Sequence, residues 1–342
     1  MVTLSFRPAQ ITRKLVSNLD DRARNVILSR FGIGEEVEEK TLEAIGNVYS
    51  ITRERVRQIE NASLNSIRKG APFASIQNVL TELKSILEEH GRVAAEDHIL
   101  GRLAPDEASK NHLHFLLVLG SDFEKIKEDD EFSHIWTIDT KRAEEVRSVL
   151  GSLHKKLKRE ELIPEGEMIP YLKRLFSEKM SAEIEEEIVR SWLTISKIVF
   201  RNILGEWGHV SSPSIKPRGM RDLAFLVLKK QGSPMHFSEV TKSISELFTR
   251  KAHPETVHNE LIKDERFILV GRGLYALNEW GYKPGVIREV IRDIIKGSGP
   301  LSKEEIIKRV LKERYVKENT ILVNLQNKDY FKRNTAKNYT LS

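Results

Sequence analysis

Two stretches of this chain share one residue spacing, and no feature constrains the fold more. Thr256 and Phe267 stand 11 positions apart, as do Thr320 and Phe331, and Tyr275 and Tyr339 each follow the phenylalanine by 8. Val257, Leu261, Phe267 and Leu277 therefore fall on Ile321, Leu325, Phe331 and Leu341 without a gap. Self-similarity of this kind marks a repeated supersecondary unit. In the clearer copy, Arg221–Lys230 reads as a helix closed by Gly232-Ser233-Pro234, with two more helical segments around 237–247 and 255–263. Residues 266–270 and 274–277 then read as two strands joined by the tight turn Gly271-Arg272-Gly273. Pro234 and Pro300 open the second helix of each copy. Three helices with a hairpin in so short a span describe a winged helix, whose core is small enough that neighbouring copies are expected to pack on one another.

A weaker copy lies at 80–139, where Leu113 and Leu117 precede Phe123 and 135–138 supplies the second strand. The stretch 141–216 is mostly helical and ends in Glu206-Trp207-Gly208, echoed by Glu279-Trp280-Gly281. Two readings of it stay open, a further copy or a helical bridge; Trp207 and Trp280 read as anchors of hydrophobic junctions.

The first segment differs. Leu19, Ala23, Val26, Ile27 and Phe31 recur at helical spacing, with Gly32 as the stop. A short helix follows at 41–46, then Thr52 as N-cap of a longer helix ending near Lys69, with Gly70-Ala71-Pro72 as a linker. Val56, Ile59, Ser63, Leu64 and Ile67 form the packing stripe of that long helix. Arg53, Glu54, Arg57, Gln58 and Asn61 form the opposite one. A major groove admits such a helix, and its first two turns reach base edges. Arginine pairs with guanine, glutamine with adenine, and a carboxylate accepts from cytosine. Arg53, Glu54, Arg57 and Gln58 are thus the base-reading candidates, and Thr52, Arg55, Arg13 and Lys14 the phosphate candidates.

The fold class expected is mainly α with small β-hairpins: an N-terminal helix-turn-helix followed by tandem winged-helix repeats. The domains are 1–72 (helix-turn-helix), 73–140 (acidic, winged-helix-like), 141–216 (mostly helical), 217–282 (winged helix) and 283–342 (basic winged helix). A chain of 342 residues is long enough for several such units. Its net charge of +6 divides into +3 for 1–72, −8 for 73–140, +1 for 141–215, +3 for 216–282 and +7 for 283–342. Basic ends suit polyphosphate, because each neutralised phosphate releases counterions; the acidic segment suits a protein partner. With no cysteine, disulfides and thiol catalysis are excluded. No apolar run approaches the roughly 18 residues of a membrane span, and Met1–Gln10 lacks a secretory pattern. A cytoplasmic protein with no membrane partner is expected.

Residues 24–69, with Arg30-Phe31-Gly32, Thr41-Leu42-Glu43-Ala44-Ile45-Gly46 and Ile51-Thr52-Arg53-Glu54-Arg55-Val56-Arg57-Gln58-Ile59-Glu60, resemble region 4 of primary-type bacterial sigma factors. That resemblance implies reading of the −35 promoter element in double-stranded DNA, docking on the β flap of core RNA polymerase, and residence at the bacterial nucleoid. The family's base-contacting arginine, glutamate and glutamine fall on Arg53, Glu54 and Gln58, and Arg57 matches a backbone-contacting arginine. Ala62 stands where the family usually has a lysine that meets activators. Nothing here resembles sigma region 2, so a complete initiation cycle by this chain alone is not expected. A second resemblance, carried by His236-Phe237-Ser238-Glu239-Val240 and Thr256-Val257-His258-Asn259-Glu260-Leu261 and continuing to Trp280, is to the HARE-type winged helix. That module is shared with the RNA polymerase delta subunit, whose acidic tail is missing here, and with some restriction endonucleases.

Arg272 at the hairpin tip reads either as a DNA contact or as a solvated turn residue. Lys308, Arg309, Lys312 and Arg314 read either as a nucleic-acid patch or as a solubilising face. His112 and His114 point different ways on one helix and make no metal site, and His236 and His258 lack a partner nucleophile. No enzyme activity, cofactor, metal or small-molecule substrate is expected. The function expected is a DNA-binding transcription factor associated with RNA polymerase. The alternatives are a module that docks on core polymerase without reading DNA, and an accessory subunit of a DNA-modifying enzyme.

Overall fold

A computed structural model describes residues 4–282, 286–314, 316–335 and 337–342. The chain divides into two compact units, one holding 1–200 and 207–210, the other 201–206 and 211–342. No helix among the described residues is long and apolar enough to cross a membrane.

The first unit opens with α1 (Pro8–Val16), α2 (Asp21–Phe31), α3 (Leu42–Tyr49) and α4 (Arg53–Lys69). Asp20, Thr41 and Thr52 cap α2, α3 and α4, each accepting from a backbone N–H three residues on. Gly32 ends α2 in the left-handed conformation, φ 58°. Gly70-Ala71-Pro72 is not the linker that its glycine and proline suggest: Ala71 and Pro72 open a short helix, α5 (Ala71–Ala74). Proline is tolerated in a first helical turn, where its missing N–H would be unpaired anyway.

Next come α6 (Gln77–Glu89), β1 (Val93–Ala95), α7 (Glu96–Leu103), α8 (Glu107–Leu119), β2 (Glu124–Ile126) and β3 (Ile135–Thr137), the strands ordered β1-β3-β2. The order recurs in α9 (Thr140–Lys156), β4 (Leu162–Pro164), α10 (Glu165–Met180), α11 (Glu186–Leu193), β5 (Val199–Arg201) and β6 (Glu206–His209), whose sheet runs β4-β6-β5. The stretch from 141 to 209 is therefore a copy of the winged helix, not a bridge.

In the second unit the pattern returns as α12 (Met220–Gln231), β7 (Met235–His236), α13 (Phe237–Phe248), α14 (Pro254–Lys263), β8 (Phe267–Gly271) and β9 (Leu274–Leu277). It returns again as α15 (Ile287–Ser298), α16 (Lys303–Glu313), α17 (Glu318–Leu325), β10 (Phe331–Arg333) and β11 (Tyr339–Leu341). The sequence repeat sets the strand register. Phe267 pairs with Leu277 and Phe331 with Leu341, while Tyr275 pairs with Met235 and Tyr339 bridges Leu301. Pro234 and Pro300 thus precede a short extended segment, not the second helix directly. The tripeptide echo is offset: Trp207 lies inside β6, whereas Trp280 lies beyond β9 in a 3-10 turn.

Cores follow the copies in the second unit, where Leu223–Leu277 and Val290–Tyr339 supply separate clusters. In the first unit they do not. One cluster runs from Leu15 and Phe31 through Leu64 and Ile67 to Leu113, Leu116 and Trp136, so the helix-turn-helix and the first winged helix share a core. Strand β1 alternates faces: Ala94 enters that core, while Val93 and Ala95 enter the core of the second winged helix. A sheet buried on both faces fuses the two.

Candidate nucleic-acid interface

Three side chains, Val26 of α2, Ile45 of α3 and Val56 of α4, form the small core that sets the helix-turn-helix. The turn requires Gly46, since a Cβ there would lie 2.6 Å from the Ile51 carbonyl oxygen. Ile51 N–H donates back to the Gly46 carbonyl at 3.0 Å, and Ser50 takes the left-handed conformation at φ 53°. Thr52 Oγ1 then accepts from Arg55 N–H at 3.2 Å and starts α4.

The two halves of α4 have different surroundings. Its C-terminal half is engaged internally: Ser63, Leu64 and Ile67 are buried, and Arg68 donates to the carbonyls of Val118 (2.7 Å) and Leu119 (3.0 Å) at the end of α8. Its N-terminal half keeps Arg53, Glu54, Arg55, Arg57 and Gln58 exposed, with Thr52 beside them. Arg57 donates twice to Glu54, at 2.7 and 2.8 Å, and Arg55 donates to Gln58 Oε1 at 3.0 Å. The Arg57 hydrogen bonds hold the Glu54 carboxyl below its ordinary range. Arg53 makes no ion pair among the described residues. Exposed pairs of this type are worth at most about 1 kcal/mol, so base edges can compete for both partners. A helix N-terminus adds partial positive charge on the same side.

Arg13 and Lys14 lie elsewhere. Both are exposed on α1, but Lys14 Nζ donates to Ser75 Oγ at 3.3 Å, just past α5. That is the C-terminal end of α4, a helix about 25 Å long at 1.5 Å per residue. The structure brings together Thr52 through Gln58 and leaves Lys14 at the other end. Arg272 is exposed at the β8–β9 turn, where Gly273 has φ +68° and a Cβ would lie 2.5 Å from His236 Nε2. Lys308 and Lys312 are exposed on α16, while Arg309 is tied to Glu305 (2.8 Å) and Ser298 (2.5 Å). Arg314 does not belong to that surface. It is 2% exposed and donates to the Leu269 carbonyl of β8.

Several polar residues that fasten the first unit carry no signal in the linear pattern. Asn111, buried in α8, donates from Nδ2 to the carbonyls of Gly32 (3.1 Å) and Val37 (2.7 Å). His112 Nδ1 lies 2.7 Å from Thr12 Oγ1 of α1, and His114 Nδ1 lies 3.1 Å from Glu39. The acidic wing of the first winged helix is clasped by the second: Glu128 pairs with Lys197 and Asp129 with Arg147, and Lys197 N–H donates to the Glu131 carbonyl. Much of the acidic charge of the first wing is therefore engaged by the neighbouring copy.

Ser196, His154 and Glu131 connect in the order of a hydrolase triad, with separations of 2.8 and 3.1 Å. Ser196 is 3% exposed, however, and its Oγ accepts from the N–H groups of Ile198 and Val199. Its one proton therefore goes to His154 Nε2, and Nδ1–H donates to Glu131. The group is a buried fastening with no access for a substrate. Among the described residues no cluster of His, Asp and Glu is arranged to hold a metal ion.

The class this defines is a helix-turn-helix head with a solvent-facing polar second helix, braced by tandem winged helices. Comparison with known proteins matches residues 15–69 to the family described as Sigma-70, region 4. Residues 218–280 match the HARE-HTH family, a helix-turn-helix domain named for its occurrence in ASXL proteins and restriction endonucleases. RNA polymerase sigma factor RpoD of Helicobacter pylori is 42% identical over 72 residues, 21% of this chain and 11% of RpoD. RpoS of Coxiella burnetii is 47% identical over 53 residues, 16% of this chain and 15% of RpoS. SigA of Listeria monocytogenes is 43% identical over 66 residues, 19% of this chain and 17% of SigA. The chain spans less than a fifth of each of these relatives.

Proposed function

We propose that this is a DNA-binding, transcription-related protein whose head reads −35-type promoter DNA in the major groove. The observation that carries the reading is the division of α4. Its apolar and C-terminal surface is buried by the first winged helix, and its N-terminal turns present arginine, glutamate and glutamine to solvent. In this reading Arg53 and Arg57 pair with guanine, Gln58 with adenine, and Glu54 accepts from cytosine. Thr52 and Arg55 contact phosphate and fix the register of the helix. The resemblance to sigma factors supports association with core RNA polymerase, at its β flap. Docking on polymerase without DNA reading is the weaker account, because the first winged helix already covers the apolar side of the head.

The test is fluorescence anisotropy of the full chain on a duplex carrying a −35 element and on a scrambled duplex, at two salt concentrations. A preference for the first, lowered in Arg53→Ala by about 1–3 kcal/mol with relaxed specificity at one base, is expected. Equal binding of both duplexes would overturn promoter reading and leave polymerase docking as the role of the head.

A further inference from the structure

The four winged helices differ in what they leave free, and only the last keeps both its third helix and its wing open. In the first, α8 is buried against the head, and the acidic wing is clasped by Lys197 and Arg147. In the second, α11 begins with the exposed carboxylates Glu185, Glu186 and Glu187, and Asn202 ties the wing tip to Leu204, Glu206 and Ser214. In the third, the outer face of the β8–β9 hairpin is buried at Ile268, Val270 and Ala276, and Arg314 reaches in to the Leu269 carbonyl.

The fourth copy is the opposite case. From 317 to 342 it carries five basic residues against two acidic. Lys328, Lys332 and Lys337 are exposed, and none makes an ion pair among the described residues. The backbone that bears them is fixed: Ser342 Oγ donates to the Lys328 carbonyl (2.8 Å), Thr340 Oγ1 to the Lys332 carbonyl (3.3 Å), and Asn334 accepts from Asn338 N–H (2.9 Å). Along the outer face of α17, Asn319, Val323 and Gln326 are exposed at helical spacing, Val323 at 66%. Unpaired lysines on a rigid wing suit phosphates, while amides and an apolar side chain on the adjoining helix suit adenine edges and thymine methyls.

We infer that the C-terminal winged helix is a second duplex-DNA site, with Lys328, Lys332 and Lys337 on the phosphate backbone and the Asn319–Val323–Gln326 face of α17 toward the bases. This site is separate from the α4 surface, and it supplies affinity that does not depend on a promoter sequence.

The experiment uses the full chain and a scrambled duplex, with the dissociation constant followed against salt. Lys328→Gln/Lys332→Gln/Lys337→Gln is expected to bind about tenfold more weakly at low salt. Its log–log salt slope should be shallower by about 2.7, at about 0.9 for each phosphate that is no longer neutralised. Lys155→Gln/Lys156→Gln/Lys158→Gln, which removes the same charge from exposed positions around the end of α9, should leave the slope unchanged. Equal slopes for wild type and the wing variant would overturn the inference. So would a wing variant that loses binding to polyglutamate while its DNA slope stays intact. Arg53→Ala on the promoter duplex reads the head separately, so failure of one site is distinguishable from failure of the other.

Discussion

Replacing Asn111 with alanine tests whether the head depends on the first winged helix. The Asn111 amide is 6% exposed and is the donor that joins α8 to the end of α2 and to the connection leading into α3. Its bond to the Gly32 carbonyl is buried, so truncation leaves an acceptor dry, at about 1–3 kcal/mol. Its bond to the Val37 carbonyl is partly exposed; water replaces it, and the loss is about 1 kcal/mol. The sum is about 2–4 kcal/mol, with little cavity term because the side chain is small. Tryptophan fluorescence is a suitable probe, since Trp136, Trp192 and Trp207 all lie in the first unit. At an m-value of about 2 kcal/mol/M, the urea midpoint should fall by roughly 1–2 M. Because Val37 leads into the helix-turn-helix, promoter-duplex affinity should fall as well. An unchanged midpoint would refute the reasoning and make the head an independent module.

Two further outcomes are expected. Gly46→Ala places a methyl 2.6 Å from the Ile51 carbonyl, and the turn cannot open without losing the Ile51–Gly46 hydrogen bond. A thermal melt should show a loss of about 1–3 kcal/mol, and anisotropy should show weakened duplex binding below the melting range; full binding would mean the turn absorbs the methyl. The first unit should also lose stability on mild acidification. Burial lowers the pKa of His98, His112 and His154 below the ordinary value. The unfolded chain therefore binds protons first, so stability is complete above about pH 6.5 and declines as pH falls through that value toward the depressed ones. Urea midpoints at about pH 7.5 and about pH 5.5, on either side of the ordinary histidine value, measure the decline. His112→Gln with His154→Gln should shrink the difference; a midpoint indifferent to pH would show that these rings do not titrate against folding.

What the sequence makes legible is local. Thr52, Gly32 and the stripe Val56–Ile67 act within one or two turns of helix, and the structure places each in the role that its spacing predicts. The 64-residue offset between Phe267 and Phe331 reaches further, because side chains that pair across a hairpin repeat with the hairpin. The short strands Val93–Ala95, Leu162–Pro164 and Met235–His236 leave no such trace: two or three residues are too few to show alternation. Arg314 falls in with Lys308 and Lys312 by spacing for the same kind of reason. Helical spacing fixes which way a side chain points but not what stands there, and a neighbouring hairpin stands opposite Arg314.

Long-range contacts, invisible in any one segment, decide what each copy of a shared fold can do. Asn111 reaches partners 79 and 74 positions away, and Lys197 reaches Glu128 across 69. Each such contact occupies a polar group that an isolated winged helix would offer to a ligand. A buried polar group must be paired, so with α8 and the first wing enclosed, their polar side chains have to bond inside the chain. Surface that escapes enclosure carries no such obligation. The N-terminal turns of α4 and the α17–wing face keep cationic side chains with no ion-pair partner among the described residues, Arg53 on the one and Lys328, Lys332 and Lys337 on the other. Those are two places where an anionic polymer can supply the missing partner.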